Sequence, residues 1–214
     1  MASRAASPAR SIRPARRRPD RYHHGDLRRA LLLEAVRTIH AEGAAALTLR
    51  GVGDRLGVSR TALYRHFADK QALLDEVAAE GFRMLRAALH EAWGTGGRAG
   101  FDAMGIAYVH FAVAHPSHYR VMFGGLAARH EASPADAEGA GESADAFQVL
   151  VDAIVAEQAA GRVRREDPQA LALYIWAMVH GVAMLALDGL LPPPTTPDVL
   201  ARLGIARLHG GIDR

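Results

Sequence analysis

The 214 residues are half apolar, enough to bury a full core in one domain or two, and they include no cysteine, which excludes disulfides, thiolate metal sites and thiol catalysis. The formal net charge of +3 hides an asymmetry: residues 1–67 hold 14 arginines against five acids, a net +9, so the rest of the chain is net −6. A basic head on an acidic body is either a solvated face or the footprint of a nucleic-acid-binding module joined to a larger non-basic one.

In chain order, residues 1–19 are Arg, Ala, Ser and Pro without an apolar period, and a disordered arm is expected there. The apolar core of a secretory signal is missing from this start, so a cytoplasmic protein is expected; its many arginines and few acids suit a transit peptide or an unfolded DNA-contacting tail equally. From Asp26, a candidate N-cap, Leu27, Leu31, Ala35, Val36 and Ile39 recur at helical spacing until Gly43, predicting a helix over about 27–42. Thr48 then caps a short helix carrying Val52 and Leu56, which stops at Gly57. Ser59 caps the next, with Val58 before it placed to staple onto Leu63, and Asp69 caps a fourth that runs towards Leu89.

Residues 47–67, "LTLRGVGDRLGVSRTALYRHF", are therefore helix, glycine turn, helix. In the second helix Ala62, Leu63 and Phe67 point inward, which leaves Arg60, Thr61, Tyr64 and Arg65 as one continuous strip on the other side. Such a strip fits a major groove, where arginine can bond guanine O6 and N7 and threonine can meet a thymine methyl. Tyr64, His66 and Lys70 would lie near phosphates, which fix register without reading sequence. The bland alternative is a helical hairpin with a polar outside.

Further on, Phe101, Met104, Tyr108 and Phe111 recur at three or four positions, predicting a helix with an aromatic and methionine stripe that ends by Pro116. "HPSHYRVMFGGL" sets Tyr119, Met122 and Phe123 beside it. Residues 127–145 are Ala, Gly, Ser and acids, read as a mobile loop before a helix with Phe147, Leu150 and Ile154. Residues 170–191 are apolar enough to span a bilayer, but His180 and Asp188 within them, a capped entry at Asp167-Pro168 and the Pro192–Pro194 stop predict a buried helix instead. One of its faces holds Leu173, Trp176, His180, Met184 and Leu187, the other Ile175, Val179, Val182 and Leu185; one is expected on a pocket and one on a partner subunit. The expected ligand set is Met104, Tyr108, Phe111, Met122, Phe123, Phe147, Trp176 and His180, which join apolar area to a few polar handles and suit a small apolar effector.

Enzymatic readings find little support. Eleven histidines are present, yet neither His-Glu-x-x-His nor Glu-x-x-His occurs; His110, His115 and His118 remain as a candidate metal trio for a metal-dependent helical enzyme. "GTGGRA", residues 94–99, matches Gly-x-Gly-x-x-Ala but follows a helix where a dinucleotide fingerprint follows a strand. No Gly-x-Ser-x-Gly is present, and no cofactor is expected.

The stretch "LTLRGVGDRLGVSRTALYRHFADKQALL", residues 47–74, with the helix before it, resembles the DNA-binding domain of the TetR family of bacterial transcription factors through Leu-Gly-Val-Ser, Leu-Tyr-x-x-Phe and the following Lys70. "YHHGDL", residues 22–27, together with Trp176, His180 and Gly181, is similar to a subgroup whose C-terminal domain carries Trp-x-x-x-His-Gly. The resemblance implies an all-α homodimer on a near-palindromic operator in double-stranded DNA, with Arg50, Arg60, Thr61 and Ala62 near base edges and Thr48, Tyr64, His66 and Lys70 on phosphates. Ser59 and Arg65 complete the expected DNA-facing set. It also implies a dimer interface of four helices from about 168–190 and 197–208 of each chain. The expected layout is an arm over 1–19, a helix-turn-helix DNA-binding domain over 20–75 and a helical effector-binding and dimerisation domain over 76–214. A repressor released by a small apolar ligand fits this layout; a DNA-binding regulator without such a ligand is the alternative.

Overall fold

The computed structural model describes residues 24–94, 96–124 and 137–212; the arm predicted over 1–19 lies outside them. Among the described residues every regular element is a helix: α1 (His24–Glu42), α2 (Leu49–Arg55), α3 (Arg60–Tyr64), α4 (Lys70–Trp93), α5 (Gly97–Ala114), α6 (Pro116–Phe123), α7 (Ala137–Ala159), α8 (Pro168–Leu187) and α9 (Pro197–Ile212).

Helix starts follow local chemistry where a side chain can satisfy an orphan backbone N–H. Thr48 Oγ1 accepts from the Gly51 amide at 3.0 Å, Ser59 Oγ from Ala62 at 3.3 Å, the Asp69 carboxylate from Ala72 at 2.8 Å and that of Asp167 from Gln169 at 3.0 Å. Asp26 is the exception. The first helix already runs from His24, so Asp26 sits on helical backbone and cannot cap it. Between α2 and α3 the turn needs a left-handed residue, and Gly57 supplies it at φ +65°, while the Val58 amide returns to the Gly53 carbonyl at 2.9 Å.

Leu31, Leu47, Val52, Leu63, Phe67 and Leu73 form the core beneath α1–α3 and the first turns of α4. Arg28 joins these helices from outside. Its guanidinium lies 4.8 Å from the Phe67 ring centroid, donates to the His66 carbonyl at 3.3 Å and pairs with Glu76 of α4. Arg55 of α2 reaches back to α1 through Thr38 Oγ1 and Glu42, each at 2.5 Å.

In the body, α4 packs lengthwise on α5, α6 and α7, while α8 and α9 close the other side of α5. The residues read as a loop over 127–145 are helical from Ala137 onward. Two of their acids pair with α4: Arg86 bonds Asp145 at 2.8 Å, and Arg83 and Arg86 approach Glu142 at 3.6 and 3.8 Å. Beyond that stretch the small Ala146 and Ala153 are buried and let α7 pack closely on its neighbours. Where α4 crosses α6 the approach is closer still. A Cβ at Gly81 would stand 2.4 Å from Met122 Sδ and 3.2 Å from His118 Cβ.

α8 is long and apolar enough to cross a membrane by composition, but only a third of that window is buried in this chain. The expected burial on all sides is therefore not met within one copy. Ile175, Val179, Val182 and Ala183 are buried, whereas Leu173, Tyr174 and Leu185 are 40–62% exposed, as are Val199 and Leu203 of α9 at 51–56%. Tyr174 and Leu185 fall about 20° apart on a 3.6-residue period and share one open side, whereas Leu173 stands about 120° from Leu185 and also borders the cavity described below.

Candidate DNA-binding surface and ligand cavity

α3 presents Arg60, Thr61, Tyr64 and Arg65 together on the surface, with Leu63 and Phe67 fully turned inward and Ala62 half-buried at the strip's edge. Tyr64 is 55% exposed. Arg60 has no carboxylate at ion-pair distance among the described residues, and Arg50 has only Asp54 at 3.6 Å, both side chains more than two-thirds exposed. These cations remain available to a polyanion. Three other expected contacts hold the fold as well: Thr48 and Ser59 through their caps, and Lys70 through a bond from Nζ to the Ala45 carbonyl at 3.2 Å that ties the α1–α2 loop to the start of α4. His66 is half-buried just beyond the strip.

About 36 Å of helix at about 1.5 Å per residue separates the two ends of α4. Past its midpoint it forms one wall of a cavity of about 600 Å³ bounded by α4, α5, α6, α7, α8 and α9. Met104, Tyr108, Met122, Phe123, Phe147 and Trp176 of the expected set line it. Phe111 and His180 do not. Phe111 packs towards His115, ring centroids 5.1 Å apart, and His180 stands behind the wall. The expected ligand set omitted Phe82, Leu85 and Leu89 of α4, and Ile205 and Leu208 of α9. The α4 residues recur at helical spacing and were visible as an apolar stripe, but a stripe alone does not say whether core or cavity faces it.

Behind the wall four polar side chains meet. Trp176 Nε1 donates to the Tyr108 hydroxyl at 2.9 Å, Tyr119 donates to the same oxygen at 3.0 Å, and His180 Nδ1 lies 2.7 Å from the Tyr119 oxygen and 3.1 Å from that of Tyr108. Burial pushes the Tyr108 hydroxyl up to about 12, and the Tyr119 hydroxyl up as well, so both keep their protons; burial pushes His180 down, so it stays neutral near pH 7. The candidate metal histidines do not converge. His110 faces Asp198 at 3.1 Å, and among the described residues no three His, Asp or Glu side chains are grouped to hold a metal ion.

Comparison with known proteins agrees with both halves of this geometry. The family described as "Bacterial regulatory proteins, tetR family" matches residues 31–77, and "Tetracyclin repressor-like, C-terminal domain" matches residues 101–208. The chain belongs to the TetR family of DNA-binding transcriptional regulators. A solved protein of unknown function from Rhodococcus sp. RHA1 is 34% identical, with a TM-score of 0.80 over 92% of this chain and 100% of that one. A tetR-family regulatory protein, also from Rhodococcus RHA1, is similar in fold at 22% identity, with a TM-score of 0.66 over 87% of this chain and 96% of its own. The class C tetracycline repressor protein of Escherichia coli is 43% identical over 51 residues, a stretch that spans 24% of this chain and only 23% of that repressor.

Proposed function

We propose that this TetR-family chain is a transcriptional repressor that binds a near-palindromic operator as a homodimer and leaves it when a small apolar molecule enters the cavity. The carrying observation is the direct connection of the two sites: α4 begins one short turn after the exposed Arg60, Thr61, Tyr64 and Arg65 strip and ends as a wall of the cavity. Residues 20–75 form the DNA-binding domain, with Arg50, Arg60, Thr61, Ala62 and Arg65 towards bases and Thr48, Ser59, Tyr64, His66 and Lys70 towards the backbone. Residues 76–214 hold the effector and the partner, and residues 1–19 are a basic arm. The protein acts in the cytoplasm and carries out no catalysis.

The exposed Leu173, Tyr174, Leu185, Val199 and Leu203 on α8 and α9 support a four-helix interface with a second copy, because apolar area of this kind is stabilised by removal from water. Successive major grooves on one side of the duplex lie about 34–36 Å apart, so a dimer must hold its two α3 helices near that spacing. Tilting α4 by a few degrees at the cavity moves its far end by ångströms, which disturbs the spacing. The test is a titration of operator duplex, recovered by footprinting the DNA flanking the gene, with and without a panel of small apolar molecules. Release by one of them, together with reciprocal weakening of that molecule's binding by operator, supports the proposal. Operator affinity that no cavity-binding molecule changes would overturn the ligand-responsive half of it.

A further inference from the structure

Ion pairing in this chain stops at the cavity wall. The space of about 600 Å³ borders helices α4 to α9, yet no Asp, Glu, Lys, Arg or His stands among the described residues that line it. Its polar residues are Tyr108, Ser143 and Trp176, and all three are uncharged, because burial pushes the Tyr108 hydroxyl up to about 12 and so keeps its proton on. His180 packs on Trp176 with ring centroids 5.4 Å apart, and burial keeps it neutral near pH 7 as well.

The charges that flank the wall in sequence are committed to one another. Arg83 and Arg86 follow the wall residues Phe82 and Leu85; Arg83 bonds Glu76 at 3.2 Å, and Arg86 bonds Asp145, which follows the wall residue Ala144, at 2.8 Å. Where α5 meets α9, Asp102 follows Phe101 and lies 2.6 Å from Nε2 of His209, which follows Leu208. An ion that enters the cavity finds no partner in the wall, and to draw one from these flanks it must break a pair that already exists. Taking a carboxylate or ammonium out of water without a partner is costly, and inside proteins such a group gives up its charge instead.

We infer that the cavity selects by charge: it takes a lipophile in its neutral form and rejects the ionised form of the same skeleton. The inference rests on the ligand-responsive reading above and narrows it, since apolar skeletons are carried by carboxylates and amines as well as by neutral molecules.

The test follows displacement of the neutral fluorophore N-phenyl-1-naphthylamine from the full-length protein by two rigid competitors, methyl biphenyl-4-carboxylate and biphenyl-4-carboxylate. At about 30 Å³ for each water-sized group the cavity holds about 20 non-hydrogen atoms, so either competitor fits inside whole and must bring its carboxyl end with it. At pH 7.5 the ester should bind at least about 100-fold more tightly than the carboxylate. Lowering the pH to 6 should strengthen binding of the acid about tenfold per unit, as its neutral fraction grows, and leave the ester unchanged. Equal displacement by ester and carboxylate would overturn selection by charge while leaving the cavity as a ligand site, and so would an acid affinity that does not move with pH. Leu150→Trp places a larger ring in the wall, with Leu150→Phe as the milder change should the first not fold, and should weaken binding of the fluorophore. A fluorophore that fails to bind the unsubstituted protein, or that ignores the filled wall, would overturn the ligand-responsive reading itself, a result distinct from the two above.

Discussion

Replacing Arg60 by alanine separates reading of DNA sequence from attraction to DNA. Arg60 is the first residue of α3, is exposed and has no carboxylate at ion-pair distance among the described residues, so its loss should leave the fold intact, within about 0.5 kcal/mol of stability. A bidentate arginine on guanine contributes about 1–3 kcal/mol of discrimination. A homodimer uses the contact once in each half-site, so the loss on operator is about 2–6 kcal/mol, roughly 30-fold at the least. Fluorescence anisotropy with operator and scrambled duplexes, each titrated over a series of salt concentrations, measures both affinities and their salt slopes. Operator affinity should fall by that factor while affinity for scrambled duplex changes little. If both duplexes lose equally, and each salt slope drops by about one per contact, Arg60 binds phosphate and the base-reading assignment of the strip is refuted.

Deleting residues 1–18, which hold Arg4, Arg10, Arg13, Arg16, Arg17 and Arg18, should flatten the dependence of log K on log salt; an unchanged slope would show that the arm makes no phosphate contact. Leu203→Glu puts a charge on the exposed apolar side of α9 and should shift the protein from dimer to monomer in sedimentation, with operator binding lost alongside; a stable dimer would place the interface elsewhere. His180 and His115 both have their pKa lowered chiefly by burial, so the unfolded chain binds more protons than the folded one once pH drops below the ordinary histidine value near 6.5. The unfolding midpoint should hold above that value and fall as pH is lowered through it, and a midpoint that rises on acidification would contradict the assignment of neutral, buried rings.

The head of the molecule was legible in the sequence because its determinants are local. Thr48, Ser59 and Asp69 each cap a helix from three residues away, and Gly57 lies in a turn whose geometry is set by its own φ. The strip of Arg60, Thr61, Tyr64 and Arg65 follows from helical periodicity once the cap is placed. The cavity was half legible. Met104, Tyr108 and Trp176 stood out as aromatic or polarizable residues on apolar helices, but the share of α4 and α9 depends on how helices far apart in the chain cross, which periodicity does not encode. Phe111 and His180 were assigned to the pocket with the rest of the set, as residues that join apolar area to a few polar handles. Rotation about their helix axes turns Phe111 towards His115 and His180 towards Tyr119 instead. The beginning of α7 was hidden for a different reason: its composition looks like a loop until Arg83 and Arg86 are set beside Glu142 and Asp145.

The close crossing at Gly81 gives one atom group two neighbours that matter. Met122 Sδ lies where a Cβ at position 81 would go, and the same side chain lines the cavity on its other side. A single methyl group added at Gly81 would therefore displace a flexible thioether into the space meant for the effector, because the α4 backbone behind it cannot recede from packed neighbours. Gly81→Ala should behave as a chain carrying its own partial occupant: a small apolar molecule that releases the unsubstituted protein from operator would bind less tightly, and operator affinity would drop without any small molecule present. Responsiveness in this fold can thus be set from a position that touches neither DNA nor ligand, by changing how much room one methionine is allowed.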